Sequence, residues 1–192
     1  MAVISIKNKI KSGSLLVGNE FFEVGDYEPI ATVTVGAGGS AAINFTSIPS
    51  TYQHLQIRGI GRSTWADADD NVYVTFNGVA GTSYSWHRVL ADGSGIGVGA
   101  NPSQPSAVIT LVPGATGTSN VFGGVVIDIL DYSNTNKNKT VRAIGGNDRN
   151  GSGYVTFQSF GFYNTSAISS ISLGTAANFA QYSSYALYGI KG

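Results

Sequence analysis

Two histidines, a cluster of three aspartates and a spaced pair of aspartates come nearest to chemistry in this 192-residue sequence. His54 and His87 each sit in a segment of alternating polarity. A metal site needs several ligands converging on one point, and in a chain without cysteine carboxylates would have to complete it. Structural histidines are the favoured reading. A Ser-His-Asp triad finds neither a G-x-S-x-G elbow nor the strand–helix alternation that would hold one. Asp67, Asp69 and Asp70, in the run DADDN, place oxygens as the opening of a calcium loop does. The sixth and twelfth positions of that loop want Gly and Glu, and here they are Val72 and Gly78. A solvated loop is expected instead. Asp128 and Asp131 are of the type that serves as acid and base on a sugar, but as polar ends of a buried strand they would cap the amides of loop 133–138. GAGGS (36–40) and GSGIGVG (93–99) lack the Lys-Ser/Thr and the strand-to-helix setting of a phosphate cradle and read as loops. Trp65, beside the acidic cluster, is the candidate for stacking on a glycan. No catalytic, cofactor or metal residue emerges.

The elements that would position these residues are strands. VFGGVVIDILDYSNTNKNKTVRAIGG (121–146) is an apolar run, a polar turn and an alternating run, which predicts a central hairpin whose first strand is covered on both faces. Residues 30–35 and 42–45 alternate around GAGGS and predict another hairpin. Residues 54–62 alternate too, with Gly59 and Gly61 marking a bulge or a close backbone approach. Further strands are expected at 72–76, 84–90, 107–112, 154–163, 167–173 and 185–190, with 63–71 a loop and 91–106 a long loop open to contacts. The five aromatics of 154–163 suit a core. No apolar stripe of period 3.6 persists for three turns. About ten short strands predict an all-β, antiparallel β-sandwich of jelly-roll kind.

The chain is long enough to bury a core in one domain. Charged residues make up only 11%, glycine is abundant at 26 residues, and the formal net charge is zero. Low charge suits a protein packed in an assembly. Zero net charge gives no sustained attraction to nucleic acid or membrane and favours self-association. No run approaches the ~18 apolar residues of a membrane span, and the first residues do not read as a signal peptide. Residues 1–27 differ from the domain at 28–192. Ile4 and Ile6 alternate with polar residues, and Leu15, Leu16, Phe21 and Phe22 follow among small turn residues. Either this segment is a first strand and loop packed on the domain, or it is an extended arm burying those six apolar residues on a neighbouring subunit. Exposed apolar clusters are a liability in a monomer, which favours the arm.

Four separated phrases, YEPIATVTVGAGG (27–39), INFTSIPSTYQHLQIRG (43–59), VVIDILDYSNTNKNKTVRA (125–143) and FAQYSSYALYGIKG (179–192), resemble a β-rich module of structural proteins in tailed bacteriophages, notably those of cyanobacteria and marine bacteria. The resemblance implies a non-enzymatic virion part, assembled in the host cytoplasm, with other virion proteins (major capsid or tail proteins) as partners. It carries over no catalytic residue and no cofactor. Within a virion, the short chain favours a capsid decoration or cement protein, a homo-oligomer with a trimer favoured. The alternative is a tail-fibre or baseplate module that contacts host glycans through Trp65 and the long loops.

Overall fold

A computed structural model of the chain describes residues 14–17, 20–23 and 27–191. Fourteen strands and no helix occur among these residues. The first two, β1 (Ser14–Val17) and β2 (Glu20–Glu23), form an antiparallel ladder of their own, with Leu15 opposite Phe22 and Leu16 opposite Phe21. Ile4 and Ile6 lie outside the described residues.

The remaining strands make two antiparallel sheets. The small sheet has the order β4-β13-β6-β9, where β4 is Ser40–Phe45, β6 Asp69–Phe76, β9 Ala107–Pro113 and β13 Ile171–Phe179. The large sheet has the order β3-β14-β5-β10-β11-β12-β7-β8. Its strands are β3 (Tyr27–Thr34), β5 (His54–Gly61), β7 (Tyr84–Ala91), β8 (Ile96–Gln104), β10 (Gly123–Leu130), β11 (Lys139–Asp148), β12 (Gly153–Phe162) and β14 (Ser184–Ile190). Without β7–β8 and β11–β12, each sheet keeps four strands, β3-β14-β5-β10 facing β4-β13-β6-β9. The chain then passes large, small, large, small, small, large, small, large, which is the winding of a jelly roll. The two extra hairpins enter between β6 and β9 and between β10 and β13, and all four of their strands extend one edge of the large sheet.

One apolar core lies between the sheets. Strands of both sheets turn alternate residues inward: Leu55 and Ile57 on β5, Ile127 and Ile129 on β10, Val74 and Phe76 on β6, all buried. Phe76, Tyr84, Phe160 and Phe162 form an aromatic group with ring centroids 5.0–6.3 Å apart. Gly59 and Gly61 answer to a close approach: the buried Tyr185 ring lies across both, and a Cβ on Gly59 would stand 2.6 Å from its Cγ.

Several expectations need correcting. GAGGS does not close a hairpin. Its Gly38 and Gly39 adopt φ of 95° and 77°, and the chain crosses there from β3 in one sheet to β4 in the other. Period-two alternation looks the same whichever sheet a strand joins. The 91–106 stretch is not a loop throughout, because Ile96–Gln104 pairs with β7 as the edge strand β8. An edge strand needs only one partner, so glycine-rich composition suffices. The acidic loop ends at residue 68, where β6 begins. The β10–β11 hairpin forms as expected, Leu130 opposite Thr140, but β10 is covered on its inner face alone. Of the five aromatics in 154–163, Phe160 and Phe162 enter the core, whereas Phe157 and Tyr163 are exposed.

Candidate functional site

The acidic residues that resembled a calcium loop serve the fold instead. Asp70 is buried; its carboxylate accepts from the Ser63 hydroxyl at 2.6 Å and from the amide of Ala176 at 3.1 Å. Asp69 pairs with Arg149 at 2.6 Å and also accepts from the Asn147 amide. Burial pushes the Asp69 carboxyl up, and the Arg149 guanidinium pulls it back only in part. Two of the three aspartates are therefore not solvated, contrary to the expected open loop. Sequence alone cannot tell a solvated carboxylate from one paired with a residue 80 positions away.

Asp128 and Asp131 do not cap the amides of loop 133–138 with their carboxylates. The Asn134 amide donates to the main-chain carbonyl of Asp131, while the Asp131 carboxylate holds Lys137. That lysine keeps the Asp131 carboxyl below the usual carboxylate range. The Asp131 amide donates to His54 Nδ1 at 2.9 Å, a structural use of the histidine. Lys139, almost wholly buried, ties the loop down further by donating to the carbonyls of Asn134, Lys137 and Thr165. Asp128 faces outward and accepts from Gln56 Nε2 at 2.8 Å. No cluster of three metal-ligating side chains occurs among the described residues.

Trp65 is 45% exposed at one end of the sandwich. Its backbone is fixed: the amide donates to Ser63 Oγ at 3.0 Å, and the carbonyl accepts from the amides of Asp67 and Ala115. Nearby, the Arg62 guanidinium donates to the carbonyls of Gly117, Thr118 and Val121 at 2.6–3.0 Å and so organises the 114–121 loop. Sequence reading missed that role.

The larger feature missed is the outer face of the large sheet. The ladder registers align three rows across β5, β10, β11, β12, β7 and β8. The first row is Gln56, Asp128, Arg142, Ser159, His87 and Ala100, which is polar. The next is Arg58, Val126, Ile144, Phe157, Val89 and Val98, apolar beyond its first residue. The third is Ile60, Gly124, Gly146, Val155, Ala91 and Ile96, apolar or without a side chain. Phe157 is 50% exposed, Ile144 59%, Ile96 77% and Val98 80%. No lysine or carboxylate interrupts the second and third rows. Arg58 is held at the margin, its guanidinium over the rings of Tyr27 and Tyr188 at 5.5 and 5.8 Å. Most of the exposed apolar side chains belong to the four strands added to the jelly roll; β9 packs on the inner face of β11 and β12, and the apolar band lies on the opposite, outer face. A signal was present: the alternation of β11 and β12 puts apolar residues at both inward and outward positions.

No helix among the described residues is long and apolar enough to cross a membrane. No protein-family model, curated protein or solved structure matches this chain.

Proposed function

We propose that the chain is a non-enzymatic structural subunit of a phage virion, a decoration or cement protein that stabilises the head through subunit contacts. The observation that carries this reading is the apolar band on the outer face of the large sheet. Contiguous exposed apolar surface of this extent marks an interaction site in a folded protein. The low charge of the chain and the four phrases that resemble phage structural modules supply the setting. Asp69, Asp70, Asp128 and Asp131 are engaged in structural contacts, which is the use a scaffold makes of them. In this role the arm residues Leu15, Leu16, Phe21 and Phe22, with Ile4 and Ile6, dock on a neighbouring virion subunit.

Immunolabelling or imaging of intact particles tests the proposal. The expected result is many copies over the head, with heads lacking the protein breaking at lower temperature or milder osmotic shock. A few copies confined to the tail would refute it. One observation favours a second reading, a tail-fibre or baseplate module binding host glycans: Trp65 is partly exposed on a loop whose backbone is held by hydrogen bonds, as a sugar-stacking residue must be. Saturable binding to host polysaccharide, lost in Trp65→Ala, would establish that reading, and absence of binding would remove it.

A further inference from the structure

We propose that Asn150-Gly151, the turn of the β11–β12 hairpin, is a site of self-modification. There Asn150 loses its side-chain amide through a cyclic imide and becomes aspartate or isoaspartate, with Asp148 as the assisting base. The inference goes beyond the virion reading and does not depend on it.

The sequence holds three dipeptides of the kind that close such a ring: Asn77-Gly78, Asp92-Gly93 and Asn150-Gly151. The ring forms when the main-chain nitrogen of the glycine attacks Cγ of the residue before it. With no Cβ, glycine leaves that nitrogen open to close approach. Neither backbone nor space separates the three sites. Gly78, Gly93 and Gly151 have φ of 65°, 88° and 91°, and a Cβ on any of them would meet nothing within 4 Å.

The side chains do separate them. Asn77 is locked: its Oδ1 accepts from the amides of Ser169 and Ser170 at 2.8 and 3.1 Å, and its Nδ2 donates to the Ala167 carbonyl at 2.8 Å. Swinging that side chain onto the Gly78 nitrogen forfeits these bonds. Asp92 Oδ1 accepts from the Ser94 amide, the Ser94 hydroxyl and the Gly95 amide at 2.8–2.9 Å. Those bonds, the Ser94 amide foremost, hold the Asp92 carboxyl below the usual carboxylate range, and an ionised carboxylate has no group to expel. Asn150 is exposed, and its side-chain amide has no hydrogen-bond partner among the described residues.

The turn also supplies a base. The Arg149 amide donates to the Ser152 carbonyl at 2.6 Å and closes the turn, and the Gly151 amide donates to Asp148 Oδ1 at 3.1 Å. The proton that must leave the nucleophile therefore already points at a carboxylate. As the Gly151 nitrogen bonds to Asn150 Cγ, that proton passes through Asp148 to Nδ2. The Cγ–Nδ2 bond breaks and ammonia departs. Water then opens the ring: attack at Cγ gives aspartate, and attack at the main-chain carbonyl carbon gives isoaspartate, which continues the chain through Cγ. Either product takes the formal net charge from zero to −1.

Peptide mapping by mass spectrometry of the full chain, kept folded in mildly alkaline buffer, reads each site separately. Asn150 should convert at least about tenfold faster than Asn77, because the hydrogen bonds that Asn77 must give up are together worth at least that factor. In urea Asn77 should draw level with Asn150, since the dipeptides are the same and only the fold protects one of them. Asp148→Asn keeps an acceptor for the Gly151 amide but is a far weaker base. It should slow the Asn150 reaction in the folded chain by about tenfold, less than an enclosed base contributes because Asp148 is open to water, and leave the rate in urea unchanged. Asn77 reacting as fast as Asn150 in the folded chain, or Asn150 staying intact there while it reacts in urea, would overturn the proposal. An unchanged rate in folded Asp148→Asn would overturn the assignment of the base.

Discussion

Gly59→Ala should destabilise the domain through one side chain, Tyr185. A Cβ at position 59 would stand 2.6 Å from both Cγ and Cε1 of that ring, against about 3.5 Å for an ordinary carbon–carbon contact. Cδ1 would stand closer still, so the ring must retreat by more than about 1 Å, but it is fully buried and already meets Phe179 edge-on at a centroid distance of 5.6 Å. Overpacking of a filled core costs about 1–3 kcal/mol, and the depth of this overlap places the cost at about 2–3 kcal/mol. For a domain of this size that lowers the melting temperature by about 4–12 °C. Tyr185→Ala alone should cost about 3–5 kcal/mol by leaving a cavity. In the double variant the added methyl meets no ring, so the two costs should fall short of additive by about the whole clash. Urea unfolding of the four proteins measures the cycle. A Gly59→Ala variant within 0.5 kcal/mol of the parent, or strict additivity, would refute the idea that glycine is required at 59 to seat the tyrosine.

Gln158 is fully buried and neither atom of its amide has a partner, so Gln158→Met should stabilise the domain by about 1 kcal/mol in urea unfolding; a loss of stability would show that the amide is hydrogen-bonded in solution. Lys137 lowers the Asp131 pKa in the folded state, so the stability this pair contributes is present above the ordinary value of 3.8 and is lost as pH falls through the lowered folded value. Asp131→Asn should therefore flatten the acid limb of melting temperature against pH, and an unchanged limb would refute the pairing.

Much of the fold was legible from residue order. The turn SNTNKN between apolar arms implied the β10–β11 hairpin, because such residues satisfy their own backbone where no sheet does. Gly59 and Gly61 inside an alternating strand implied that something packs closely there, and Tyr185 does. The candidate site was far less legible. Phe157 read as a core residue in sequence because hydrophobicity records a preference for burial without naming the partner that provides it. Asp70 read as part of a solvated loop, although Ser63 and the Ala176 amide seal it, and nothing in residue order marked Arg62, which organises the 114–121 loop.

The sequence by itself determined that the chain is all-β and antiparallel, where most of its turns fall, and which residues along each strand share a face. Tertiary structure alone decided which sheet each strand joins, and hence which face of each strand the small sheet covers and which face is left outside. The physical reason is that period-two alternation is set within a strand, whereas cover depends on what lies about 10 Å above it. Only when the fourteen strands are in place does the uncovered apolar band on β11, β12, β7 and β8 exist as a surface.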